Sequence, residues 1–156
     1  MAKEETLISK WQLFFIGSFF VTFLVLLVWN SLGPRTMLVM LDEEPLNVYV
    51  ADTLKNTYVG LGGRDDLGEK DGMMFLFDFP GRHGIVMRDM QFPIDIIWLY
   101  EGTVVDMVPA APIEPGVPEY ALTTYYPRTD ATMVIELSAG WAAEHDLKIG
   151  DTLRIP

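Results

Sequence analysis

No ionised side chain occurs between Lys10 and Arg35, and the residues from Trp11 to Trp29 read WQLFFIGSFFVTFLVLLVW. As a helix that stretch rises about 28 Å, close to the roughly 30 Å hydrocarbon core of a bilayer. Trp11 and Trp29 stand at the two interfacial positions that aromatic side chains favour. A cleaved signal peptide has a shorter apolar run, about 7 to 15 residues, ending at a small-x-small site. Trp29-Asn30-Ser31 is a poor site of that kind. The sequence therefore predicts one uncleaved, single-pass transmembrane helix over residues 11–29, a signal-anchor whose partner is the lipid bilayer. Lys3, Lys10 and the free amine before the span outnumber Arg35 after it, which favours a cytoplasmic N-terminus. The expected organisation is a short cytoplasmic segment (1–10), the span, a Gly-Pro linker (30–36) and one extracytoplasmic domain (37–156) at the cell membrane.

That domain carries the whole net charge of -11, because two of the eleven basic and two of the twenty-two acidic side chains precede Ser31. Such a field repels nucleic-acid phosphates and anionic headgroups, so no nucleic acid partner is expected, whereas basic partners, cations and neutral ligands remain. The absence of cysteine excludes a disulfide framework, a thiolate nucleophile and a Cys-ligated zinc site.

Along the domain, Met37–Leu41 and Leu46–Ala51 read as strands separated by a polar turn, and Asp52 or Thr53 caps a short helix that the glycines at 60, 62 and 63 end. Further strands are expected at Met73–Phe77, Gly84–Asp89, Ile94–Tyr100, Thr103–Val108 and Ala131–Leu137, with Glu101-Gly102 as a two-residue hairpin loop. Residues 109–127 form a long proline-rich loop, with an edge strand near Tyr120–Thr123. Ser138 is placed to cap a second helix to about Asp146, before a last strand from Thr152. The expectation is a mainly β (α+β) domain, barrel-like or sandwich, of about seven or eight short strands with two short helices.

Gly60-Leu61 with Arg64 and Leu67, then Gly72-Met73-Met74-Phe75-Leu76-Phe77, Met87, Pro93 and Asp95-Ile96-Ile97 form one set of motifs; Tyr126-Pro127, Glu136-Leu137, Ala139-Gly140 and Gly150-Asp151 continue it. In these the chain resembles the domain of unknown function 192 family over about Leu46 to Ile155. The resemblance implies a small, often secreted or membrane-anchored protein without an established activity. Ile85-Val86-Met87-Arg88-Asp89 replaces an aromatic-rich stretch of the family, so a ligand site there, with Arg88 and Asp89, would differ in this member.

Pairing back from the Glu101-Gly102 turn sets Ile97 opposite Asp106 and Asp95 opposite Val108. Asp95 and Asp106 then share one face about 7 Å apart, a spacing used in two-carboxylate catalysis and by cation sites, with Arg64 or Arg88 as charge partner. The competing reading makes Asp95 a structural acceptor and Asp106 a solvated group. Trp98, Tyr125 and Tyr126 are candidates for a ligand groove beside the long loop, and Trp98 fits core packing equally well. Beyond the span only Ser31 and Ser138 remain, which leaves no serine nucleophile in a fitting context; His83 and His145 lack ligand-spaced neighbours, so no metal and no cofactor is expected. The acidic loop from Asp65 to Asp71 misses the alternating spacing of a calcium loop.

These readings favour a membrane-anchored binding or accessory module over an enzyme. The alternatives are a small carboxylate-dependent enzyme acting on cell-envelope polymers through Asp95 and Asp106, and a structural partner domain in a membrane complex. Envelope polymers, peptides and membrane proteins are the partner classes that fit.

Overall fold

The computed structural model describes residues 9–31 and 34–156. The expected N-terminal segment up to residue 8, and Leu32 and Gly33 of the expected linker, lie outside them. The chain divides into two compact units, Met1–Gly33 and Pro34–Pro156.

The first unit holds one helix, α1, Lys10–Ser31. Its described side chains run from Trp11 to Leu27 and all are exposed, with apolar groups around the whole circumference. Within that described stretch no helix is by itself long and apolar enough to cross a membrane.

The second unit is built on a seven-stranded sheet. β1 (Arg35–Leu41) and β2 (Glu44–Ala51) form a hairpin around Asp42-Glu43, and α2 (Leu54–Val59) leads by a long crossover to β3 (Gly72–Gly81), which lies parallel to β2. The two-residue β4 (Ile85–Val86) follows, then β5 (Ile94–Tyr100) and β6 (Thr103–Ala111), joined by the expected Glu101-Gly102 turn, both of whose residues have positive φ. β7 (Thr124–Tyr125) pairs with β4, and β8 (Ala131–Ser138), α3 (Trp141–Glu144) and β9 (Leu153–Arg154) complete the unit. The strand order is β6-β5-β8-β3-β2-β1-β9.

The sheet curls until its edges approach. Thr103 on β6 bridges Thr152, the Val104 amide donates to the Asp151 carbonyl at 2.8 Å, and the Leu153 amide donates to Gly102 at 2.7 Å. Pairing across the edges removes exposed donors and acceptors that would otherwise recruit other strands. Of the barrel and sandwich expected, the curled, barrel-like form is found.

Strand alternation sorts the core into two clusters. Val48, Val50, Met74, Ile97, Leu99, Ile135 and Leu137 point inward. Met73, Phe75, Ile94, Ile96, Trp98 and Val134 point outward, and are covered by Leu61, Leu67, Ile85, Met87 and Met90 from the connecting segments. Both faces of β5 and β8 are therefore buried, as their continuous apolar runs require.

Several expected elements differ. Gly84–Asp89 is mostly loop, because the chain crosses the outer face there rather than joining the sheet. The edge strand near Tyr120–Thr123 is a 3-10 turn, Glu119–Ala121. Ser138 ends β8 instead of capping a helix, and the helix that follows is a single turn entered through Gly140 at φ 95°. Thr53 does cap α2, accepting the Asn56 amide at 3.1 Å, and Gly60 ends it at φ 58°.

Candidate functional site

The expected pairing of Asp95 with Asp106 is not formed. Tyr100 does face Thr103, but a bulge between Trp98 and Leu99 leaves Trp98 opposite Asp106 and Ile97 opposite Met107. One extra residue reverses which face a side chain takes. Asp95 therefore goes inward with Ile97 and Asp106 goes to the side of Trp98.

Asp95, 1% exposed, is consumed by backbone. Oδ1 accepts the amides of Ala110 at 2.8 Å and Gly140 at 3.1 Å, and Oδ2 accepts Ala142 at 2.8 Å. It thereby holds a second bulge of β6, where Ala110 has φ 48°, and the start of α3. Asp106 is engaged as fully: it takes the Arg128 amide at 2.7 Å, Arg128 Nη2 at 2.7 Å and its own neighbour Met107 at 3.0 Å. Hydrogen bonding from Arg128 lowers the Asp106 pKa against the opposing effect of burial. Arg128, which carries no motif in the sequence, is thus the partner expected of Arg64 or Arg88.

Trp98 is wholly buried, its indole N–H donating to the His83 carbonyl at 2.8 Å, so it lines no groove. Tyr125 is half-buried against the outer core, with burial raising its pKa and the charge of Glu114 adding to the effect, while Tyr126 is exposed beside Gly84. Arg64 lies 4.3 Å over the Tyr49 ring. Asp89 is exposed at φ 53°, and its carbonyl accepts the Gly63 amide at 2.9 Å. Both histidines are ring-stacked, His83 on Phe77 and His145 on Trp141, and among the described residues no cluster of ligating side chains is placed to hold a metal.

Of the expected residues, Arg88 alone lines a concavity over the outer face of the sheet. This cleft of about 580 Å³ is bordered by α2, the glycine turn after it, the 84–90 segment and the outer face of the sheet. Its walls are chiefly apolar, including Leu54, Val59, Leu61, Phe75, Ile85 and Ile94. Volume and lining suit a small molecule. α2 buries none of its residues and so forms a rim rather than a packed layer.

The rim is tied by three side chains from three segments. Arg88 donates to the Tyr58 carbonyl, lies 3.9 Å over the Tyr58 ring and pairs with Glu119 at 2.6 Å; the Tyr58 hydroxyl donates to the same carboxylate at 3.0 Å. Arg88 Nε is buried and lacks a partner among the described residues.

Glu136 lies at the base. On β8 it sits opposite Ile96 and Met73, both outward-facing, and is 5% exposed. No hydrogen bond or ion pair to its carboxyl occurs among the described residues, and burial pushes its pKa up to about 8. A carboxyl of that kind is protonated at neutral pH, and perturbed groups in a cleft mark functional sites. Sequence reasoning missed it because Glu136 reads as the solvent-facing member of an alternating strand; its place beside Val134 on the same face was the available signal.

The sequence profile of the uncharacterised ACR family, DUF192, matches residues 37–155. The chain therefore belongs to the domain of unknown function 192 family. No curated protein matches the sequence. Two solved structures resemble it. A protein of unknown function from Novosphingobium aromaticivorans DSM 12444 is 25% identical with a TM-score of 0.69, over 80% of this chain and 88% of that one. A proposed transcription regulator from Sinorhizobium meliloti 1021 is 21% identical with a TM-score of 0.71, over 80% of this chain and 97% of that one, a likeness of fold alone.

Proposed function

We propose that this chain is a membrane-tethered, extracytoplasmic binding module that takes a small ligand into the cleft above Glu136. The observation that carries the reading is a buried carboxyl with no protein partner at the base of a largely apolar concavity of about 580 Å³. A largely buried carboxyl that faces a cleft without a protein partner is a group whose hydrogen bonding a ligand can complete. Support for the tether comes from the sequence, which carries no charged side chain from Trp11 to Pro34.

The enzymatic alternative loses its basis, since Asp95 and Asp106 occupy opposite faces and each is committed to structural partners. Thr57 and Tyr58 also line the cleft, but their hydroxyls donate to the Ala51 carbonyl and to Glu119, so Glu136 suits binding better than turnover.

The test is a thermal-shift screen of the full-length protein in neutral detergent micelles, run beside a cleft-filling Val59→Trp variant. Val59 is 43% exposed on the rim, so the larger ring enters the cleft without disturbing the core. A compound that stabilises the wild type, leaves the variant unmoved and is recovered unchanged supports the reading. Equal shifts in both proteins, or none across the screen, contradict it in favour of a structural role in a membrane complex. Release of the full-length protein from membranes by alkaline carbonate would contradict the tether separately.

A further inference from the structure

We infer that the cleft selects a small apolar molecule bearing one ammonium group, which it sets against the Glu136 carboxyl. The inference rests on the proposed function and adds to it the ligand's charge and class.

The titratable groups lining the cleft are Tyr58 from α2, Arg88 from the 84–90 segment and Glu136 from β8. The lining residues of β3 and β5, Phe75 and Ile94, do not titrate. Tyr58 and Arg88 are both held by one carboxylate, Glu119, at 3.0 and 2.6 Å, so the arginine's charge is already balanced at the rim. Among the described residues Glu136 alone of the three has no charged or hydrogen-bonding partner. The only charge the cleft can gain is therefore negative, and the only ligand charge that compensates it is positive.

Other ligand classes fit less well. An anion would find only the unpartnered Nε of an arginine whose charge Glu119 already offsets, and would meet a domain that carries the whole net charge of -11. The same field raises the local concentration of cations and speeds their encounter. The aliphatic and aromatic walls require an apolar body on the amine, since a bare metal ion finds one carboxylate and no clustered ligands among the described residues. In the free protein the carboxyl is protonated at pH 7; an entering ammonium displaces that proton, so binding releases one proton to solvent and strengthens as pH rises toward the group's pKa of about 8.

The experiment is calorimetric titration of the full-length protein in neutral detergent micelles with a graded series of primary amines, from butylamine to 4-phenylbutylamine. Each is compared with its alcohol analogue at pH 6, 7 and 8, in the wild type, Glu136→Gln and Val59→Trp. The expected result is a preference for amine over alcohol of at least tenfold at pH 8. Amine affinity should rise on the order of tenfold per pH unit below 8, and both effects should vanish in Glu136→Gln. Alcohols binding as tightly as amines, with no effect of Glu136→Gln but loss in Val59→Trp, would overturn the charge selection and leave the cleft as a ligand site. Absence of binding by both series, or binding untouched by Val59→Trp, would overturn the inference and the cleft reading together.

Discussion

Asp95 on β5 accepts the backbone amide of Ala142 at 2.8 Å, across 47 residues of chain. The same carboxylate takes Gly140 and Ala110, so a single side chain substitutes for the missing cap of α3 and satisfies a β6 bulge at a residue with positive φ. Its role is architectural. Asp95→Ala, which strands three amides, should cost on the order of 3 kcal/mol or more. Denaturant unfolding measures this. Ligand affinity of the folded fraction should be unchanged, and a loss of affinity without loss of stability would assign Asp95 to the site.

Glu136 predicts an unusual pH dependence. Its folded-state pKa is raised from 4.5 to about 8, so the folded state holds the proton more tightly than the unfolded state between those values. The stabilisation linked to that proton is full below about 4.5 and is lost as pH rises through about 8. Glu136→Gln, which cannot ionise, should flatten this decline and exceed the wild type at pH 9 by on the order of a few kcal/mol. Melting temperatures of both proteins from pH 5 to 9 provide the check, and parallel curves would contradict it.

Asp106 has the opposite sign. Its pKa is lowered chiefly by the Arg128 side chain, so its contribution is present above the unfolded value and is lost as pH falls through the folded one. The Arg128 side chain is 73% exposed, so solvent screens the ion pair itself. The two backbone amides on Asp106 add to its own importance. Asp106→Ala should therefore destabilise by about 2 kcal/mol or more, and Arg128→Ala by clearly less. Unfolding of the two variants at pH 7 orders them, and an equal cost would show that the guanidinium carries the whole interaction.

Gly62 sets how closely the cleft's two walls approach. A Cβ there would lie 2.6 Å from the Arg88 carbonyl and 3.0 Å from that of Val59, both backbone atoms that cannot swing aside. Gly62→Ala should push the 84–90 segment away from α2, costing about 1 to 3 kcal/mol. It should also break the Arg88–Tyr58 stack, an effect visible as altered tyrosine fluorescence. An unchanged fluorescence and melting temperature would mean that the two walls move independently.

What could be read from the sequence was what depends on neighbours in the chain. The Thr53 cap, the stop at Gly60 and the Glu101-Gly102 turn pairing Tyr100 with Thr103 all rest on local chemistry, and all are present. The hairpin register failed two residues further on, at Trp98, because a bulge leaves no mark in composition. Ser138 looked like a cap because it precedes a helical pattern, yet the acceptor comes from Asp95 on a distant strand. Glu136 was hidden for a related reason. The outer face it sits on is covered by Leu61, Ile85 and Met90 from other parts of the chain, which no window around β8 contains.

The central claim is that Glu136 is a largely buried carboxyl without a protein partner, lining a ligand cleft. Its side-chain carboxyl carbon, followed by 13C NMR in the full-length protein across pH 4 to 10, should titrate with a midpoint near 8 and shift when a cleft ligand is added. A midpoint near the ordinary value of 4.5, unmoved by any compound that stabilises the fold, would contradict the account.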